Sequence, residues 1–160
     1  MFLRNIKMQH FNKLVYLLIL PVFLISCHTL KNKSMTKKII NTPNAPAPIG
    51  PYNQAVLSGN TLYVSGAIAL DPANGNMIQT DIEAETHQVM KNLGEILKAT
   101  NMDYSNIVKT TIFVTDLGNF AKINGVYGSY FKTDFPARET VQVSALPKGA
   151  NVEISVIAVK

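Results

Sequence analysis

Ile107–Thr115, IVKTTIFVT, is the stretch on which the fold turns. It is rich in β-branched residues and alternates Val108, Thr110, Ile112 and Val114 against Ile107, Lys109, Thr111 and Phe113. That period of two predicts a central strand. Downstream, Asp116-Leu117-Gly118-Asn119 turns the chain into a helix with Asn119 as its cap. Phe120, Ile123, Val126, Tyr127, Tyr130 and Phe131 supply its buried stripe, with Asn124 beside it. Upstream lies a longer helix. Thr80-Asp81-Ile82-Glu83 fits a capping box with Thr80 at the cap, and Ile82, Val89, Met90, Leu93, Ile96 and Leu97 share one face. Glu83, Glu85, Lys91 and Lys98 are expected on the solvated surface, and Gly94 is expected to mark close packing on the sheet. His87 has no second His or Cys near it in sequence, so it reads as a surface or boundary residue and not a metal ligand.

Further out, the strands multiply. Lys37–Ile40 reads as a short extended segment. Four prolines between Thr42 and Pro51 make a stiff irregular loop ending in Ile49-Gly50-Pro51-Tyr52. Ala55–Leu57, the turn Ser58-Gly59-Asn60 and Thr61–Ser65 read as a hairpin closed by Gly66. Asp134–Val143, DFPARETVQV, passes through Pro136, which bars a helix, and presents Arg138 at the mouth of a strand spanning Thr140–Ala145. Val141 and Val143 would face one side of that strand; Thr140, Gln142 and Ser144 would face the other. A final strand, Asn151–Val159, alternates Val152, Ile154, Val156 and Ala158 with Glu153, Ser155, Ile157 and Val159. The sum is an α+β fold, two helices packed on one face of a mixed β-sheet. The other face would carry Ile107, Phe113 and Ile157, too apolar to stay wet, which predicts subunits packed sheet to sheet.

Charge and address separate from the domain. The chain carries a net charge of +5, but from Ile39 onward eight Lys/Arg face ten Asp/Glu, a net of −2. The folded part therefore shows no polyanion-binding signature, which counts against nucleic acid as a partner. Arg4, Lys7 and Lys13 precede an apolar run, Leu14–Ile25, too short for a membrane span and suited to a signal sequence. It ends in Leu24-Ile25-Ser26-Cys27, which resembles a bacterial lipobox. Cys27 is the single cysteine, so no intrachain disulfide forms. The expectation is a lipoprotein signal peptide over residues 1–26, a lipidated Cys27, a polar tether over 27–36 and a domain over 37–160. Such a chain would be anchored in the bacterial cell envelope. His28, where an aspartate would signal inner-membrane retention, points to the periplasmic face of the outer membrane. Met35 opens a second start, MTKKIINTPNAP, from which the domain would be cytoplasmic.

The common catalytic machines are missing from the sequence. It has no glycine-rich phosphate loop, no His pair at metal spacing and no cysteine in the domain. What stands out is one carboxylate on an apolar strand, Glu153, and one presented arginine, Arg138, a group suited to gripping a carboxylate. Tyr52 and Asn124 are placed to line the same cavity.

Several segments together resemble the reactive-intermediate (imine and enamine) deaminase family of YjgF type. They are IINTPNAP (39–46), IGPY (49–52), Ser65-Gly66, IVKTTIFV (107–114), FPAR (135–138) and VEISVIAV (152–159), and they span Met35–Lys160 in order. The resemblance implies a chorismate-mutase-like subunit in a homotrimer whose sheets form a central barrel, with ligand clefts between subunits. It implies cofactor-free hydrolysis of 2-imino acids to 2-oxo acids and ammonia. By position, Arg138 would bind the substrate carboxylate and Glu153 would activate water. Tyr52, Ser65 and Gly66 would line the cleft, Asn124 would sit at its edge, and the Thr140 main-chain N–H would meet substrate. Two positions depart from the family pattern. Ala67 stands where many members have glutamine and Thr140 where many have cysteine, and Glu139 is expected to add negative charge beside the cleft. The alternative reading is a non-catalytic trimeric small-ligand-binding or holdase-like protein.

Overall fold

The alternation in Ile107–Val114 becomes β4, an inner strand of a six-stranded sheet. The computed structural model describes residues 36–160; the expected signal segment, Cys27 and the tether through Met35 lie outside the described residues. The other strands are β1 (Lys37–Ile40), β2 (Ala55–Ser58), β3 (Thr61–Ala67), β5 (Ala137–Gln142) and β6 (Val152–Val159). Their spatial order is β1-β2-β3-β6-β4-β5. Every neighbouring pair is antiparallel except β4–β5. A parallel pair needs a crossover, and helix α2 (Phe120–Gly128) supplies it. The longer helix α1 is Ile82–Lys98. Both helices lie on one face, so the α+β expectation holds.

The core forms where that face meets the helices. Val89, Met90, Leu93 and Leu97 of α1 are fully buried against Leu62 of β3, Ile112 and Val114 of β4, and Val152, Ile154 and Ala158 of β6. β6 keeps its predicted alternation, with Glu153, Ser155, Ile157 and Val159 on the opposite, open face. Tyr63 is 50% exposed there and Val141 43%. An apolar face of this kind calls for a covering partner.

Four local expectations are corrected. The cap of α1 is Asp81, not Thr80; its carboxylate accepts from Ala84 N at 2.7 Å, the N3 bond of a cap residue. Ile107 belongs to the core, because a register shift between Ile107 and Lys109 returns its side chain to the helix face and leaves Val108 exposed. Gly94 admits the Tyr104 hydroxyl, which donates to Met90 O, and does not touch the sheet; a Cβ at Gly94 would lie 2.4 Å from that hydroxyl. The strand after Pro136 starts at Ala137, not Thr140, so Arg138 and Glu139 lie inside β5. Pairing with β4 decides where this edge strand begins, and local polarity does not.

Candidate functional site

Glu153 occupies the second position of β6, on the open face. β3 is irregular opposite it: its register against β6 shifts between Val64 and Ala67, a bulge that re-aims backbone. Gly66 sits in that bulge. A Cβ there would fall 1.9 Å from a Glu153 carboxylate oxygen, so only glycine leaves room for the acid as it stands. Among the described residues the Glu153 carboxylate makes no hydrogen bond or ion pair, and burial pushes its carboxyl above the ordinary 4.5. Ile49, Tyr52, Ser65, Gly66, Ile68 and Pro147 close a cavity of about 220 Å³ around it. Tyr52 is folded over Gly50, its hydroxyl accepting from Ile49 N at 3.2 Å. The Ser65 hydroxyl donates to Asn53 O at 2.7 Å, so it shapes the wall.

Arg138 faces the other side. In the parallel ladder it pairs with Thr110, a buried helix-face residue, and so points toward α2. Its guanidinium carbon lies 5.0 Å from the Tyr127 ring centroid and 5.9 Å from that of Phe120. The Tyr127 hydroxyl donates to Thr110 Oγ1 at 3.0 Å, which fixes the ring beneath the cation. Among the described residues Arg138 has no carboxylate partner. It lines a cavity of about 360 Å³ with Asn124, Tyr127, Gly128, Phe135 and Pro136. Thr140 lies two residues on, on the same face. Its hydroxyl is buried without a hydrogen-bond partner among the described residues. Val143 N donates to Val114 O at 2.8 Å, and by the strand's period of two the N–H groups of Arg138 and Thr140 point away from β4, at the sheet's free edge.

Glu139 does not load this cavity with negative charge. It pairs with Thr111 on the open face, where Lys109 and Thr111 donate to its carboxylate. Those two hydrogen bonds hold its carboxyl below the usual range.

The predicted site residues therefore form two groups. Tyr52, Ser65, Gly66 and Glu153 share one cavity; Arg138 and Asn124 share another, with Thr140 beyond them. β4 separates β5 from β6, and Arg138 and Glu153 pair with Thr110 and Phe113 across it. Three residues along and two strands across put the two backbone positions about 10 Å apart in each direction, on opposite faces. A ligand of a few heavy atoms cannot touch both within one chain.

The family model described as Endoribonuclease L-PSP matches residues 42–160. The chain belongs to this family. It is 46% identical over 127 residues to the human protein named 2-iminobutanoate/2-iminopropanoate deaminase, covering 79% of this chain and 93% of that protein. Among solved structures it superposes on Escherichia coli TdcF with bound serine (TM-score 0.74, 39% identity, 77% of this chain and 98% of that one). It also superposes on YyfA of Yersinia pestis, described as a protein of unknown function of the conserved Rid family (TM-score 0.76, 50% identity, 78% and 100%).

This L-PSP-family chain also holds two residues that sequence reasoning missed. Gln54 is buried beneath the proline loop; it accepts from Thr42 N at 2.6 Å and donates to Thr42 O, Ala45 O and Pro46 O. Its partners are main-chain groups of residues 42–46, which no side-chain pattern in the sequence announces. Glu85, expected on the surface, is fully buried. Its signal was readable: Ile82, Glu85 and Val89 stand at i, i+3 and i+7, which puts the acid on the core stripe.

Proposed function

We propose that the protein hydrolyses 2-imino acids, or their enamine tautomers, to 2-oxo acids and ammonia. The carrying observation is the pair of uncompensated groups: an arginine on an aromatic tray with no internal anion, and a half-buried carboxylate with no internal donor. The identity to a named deaminase over nearly that protein's whole length supports the same reaction. A relative crystallised with serine supports a ligand of amino-acid size.

Arg138 takes the substrate carboxylate in a two-bond grip, aided by the outward N–H of Thr140. The iminium carbon is already electrophilic, so positioning and one proton shuttle suffice. Glu153 takes a proton from water as the water oxygen bonds to C2. The resulting carbinolamine receives that proton on nitrogen; its hydroxyl proton passes to Glu153 as the C–N bond breaks and the 2-oxo acid forms, and the departing ammonia takes that proton away as ammonium. The raised Glu153 carboxyl suits both directions of transfer.

The site assembles between copies of the chain. We place Arg138, Asn124 and Thr140 of one subunit against Tyr52, Ser65, Gly66 and Glu153 of the next, in a homotrimer whose open sheet faces turn inward. The exposed Tyr63 and Val141 would be covered there. The test is ammonia release from 2-iminopropanoate and 2-iminobutanoate generated in situ by an amino-acid oxidase, with wild type, Arg138→Ala and Glu153→Ala. With substrate held below the wild-type KM, acceleration by wild type and little by either variant is expected; no acceleration by wild type at any protein level would leave the binding or holdase reading.

For the amino-terminal segment we propose signal cleavage and acylation at Cys27, on the strength of its basic region, apolar run and lipobox. Intact mass of the membrane fraction should show the acyl chains, and Cys27→Ala should abolish them. An unmodified mature chain starting at Met35 would overturn this.

A further inference from the structure

We propose that Glu85 is a positioning residue for Glu153, acting through the first residues of β6; the inference rests on the role given to Glu153 above. Glu85 is in the first turn of α1, where its own N–H donates to Asp81 O at 3.0 Å. Its side chain reaches into the turn before β6. Asn151 N donates to Oε1 at 2.7 Å, Val152 N to the same oxygen at 3.4 Å, and Asn151 Nδ2 to Oε2 at 2.9 Å. On the opposite side of Asn151, its carbonyl accepts from Thr115 N at 3.1 Å. The residue that leads into β6 is thus clamped on both main-chain groups. Val152 is fully buried on the helix face, so Glu153, the next residue, is driven to the open face, where Gly66 leaves space for it.

A one-residue slip at this point would send Glu153 into the core face and Val152 to the cavity. Smaller movements would break the close fit over Gly66. The choice of an acid is informative. Among the described residues Glu85 has no cationic partner, and a buried carboxylate is costly to desolvate. An apolar side chain would fill the volume at less cost. What it could not do is accept from two adjacent main-chain N–H groups and a side-chain amide together. Catalytic geometry tolerates little displacement, since an error of about 1 Å at a reacting group can cost roughly 100-fold in rate.

The experiment compares wild type, Glu85→Gln and Glu85→Leu by steady-state kinetics per folded subunit and by NMR titration of the Glu153 side-chain carboxyl. Glu85→Leu should lower kcat roughly 10-fold or more with KM nearly unchanged, because the Arg138 group is on another strand and face. Glu85→Gln keeps an acceptor at the Oε1 position, so it should recover most of that loss while still shifting the Glu153 titration. If Glu85→Leu does not fold, the Glu85→Gln titration decides. A Glu153 titration and kcat equal to wild type, with only the melting temperature lowered, would show Glu85 to be structural and overturn the proposal. Lack of imine hydrolysis by wild type would instead sink the reading of Glu153 as a base, and the titration would still report whether Glu85 positions it.

Discussion

At the scale of single residues, the proposed site depends on two groups left uncompensated among the described residues. In the proposed site, replacing Arg138 by Ala would remove charge-assisted hydrogen bonds that substrate and transition state share, so KM should rise by roughly 30-fold or more, with a smaller effect on kcat. Initial rates over a 2-iminopropanoate series measure this, and a wild-type KM would dissociate Arg138 from the substrate. Gly66→Ala puts a methyl where the Glu153 carboxylate now lies. The acid can swing away at little cost to stability, so the variant should fold normally and lose turnover; unchanged kcat would mean that the carboxylate need not lie over Gly66. Burial raises the Glu153 carboxyl above 4.5. The working form is the carboxylate, so the rate should fall as pH drops through this raised value, and the acid limb of kcat should lie above the usual glutamate range. Glu153→Gln should abolish both the rate and that limb.

At the scale of elements, capping and pairing decide boundaries that patterns leave loose. Asp81→Ala should destabilise the protein by about 1 kcal/mol in urea denaturation, and Thr80→Ala by much less, because only Asp81 accepts from the α1 backbone. Equal losses would restore Thr80 as the cap. The helices, the hairpin and β6 were legible because their buried faces repeat at periods of 3.6 and two. β5 was less so. Its Val141, expected to be half-buried, is exposed, and its Arg138 lies within the strand. An edge strand has one neighbour, and its start is set by where β4 offers pairing groups. The candidate site was legible as a set of residue types and not as an arrangement. Arg138 and Glu153 could be picked out, yet their placement on opposite sheet faces follows from the β4 register. By its charge Glu85 reads as a surface residue, but its place on the helical stripe decides its burial.

At the scale of the whole molecule, the proposed site requires a second copy to bring its two halves together. At substrate well below the wild-type KM, Arg138→Ala and Glu153→Gln should each be nearly inactive alone. Co-refolded in equal amounts, they should recover about a quarter of wild-type activity, since one interface in four pairs an intact Arg138 with an intact Glu153 in a randomly mixed closed ring. No recovery in verified mixed oligomers would confine each site to one chain. The sequence by itself determined the element types, the helix-covered sheet, the family resemblance and the two groups to which the proposed chemistry is assigned, because these reside in local periodicity and residue identity. Only the tertiary structure decided that Gly66 is the seat of Glu153, that Tyr127 and Phe120 hold Arg138, that Glu139 pairs with Lys109 on the face opposite Arg138, and that Glu85 clamps the start of β6. Each of these depends on which strand lies beside which, and in what register. Such pairings join residues far apart in the chain, and no local pattern records them.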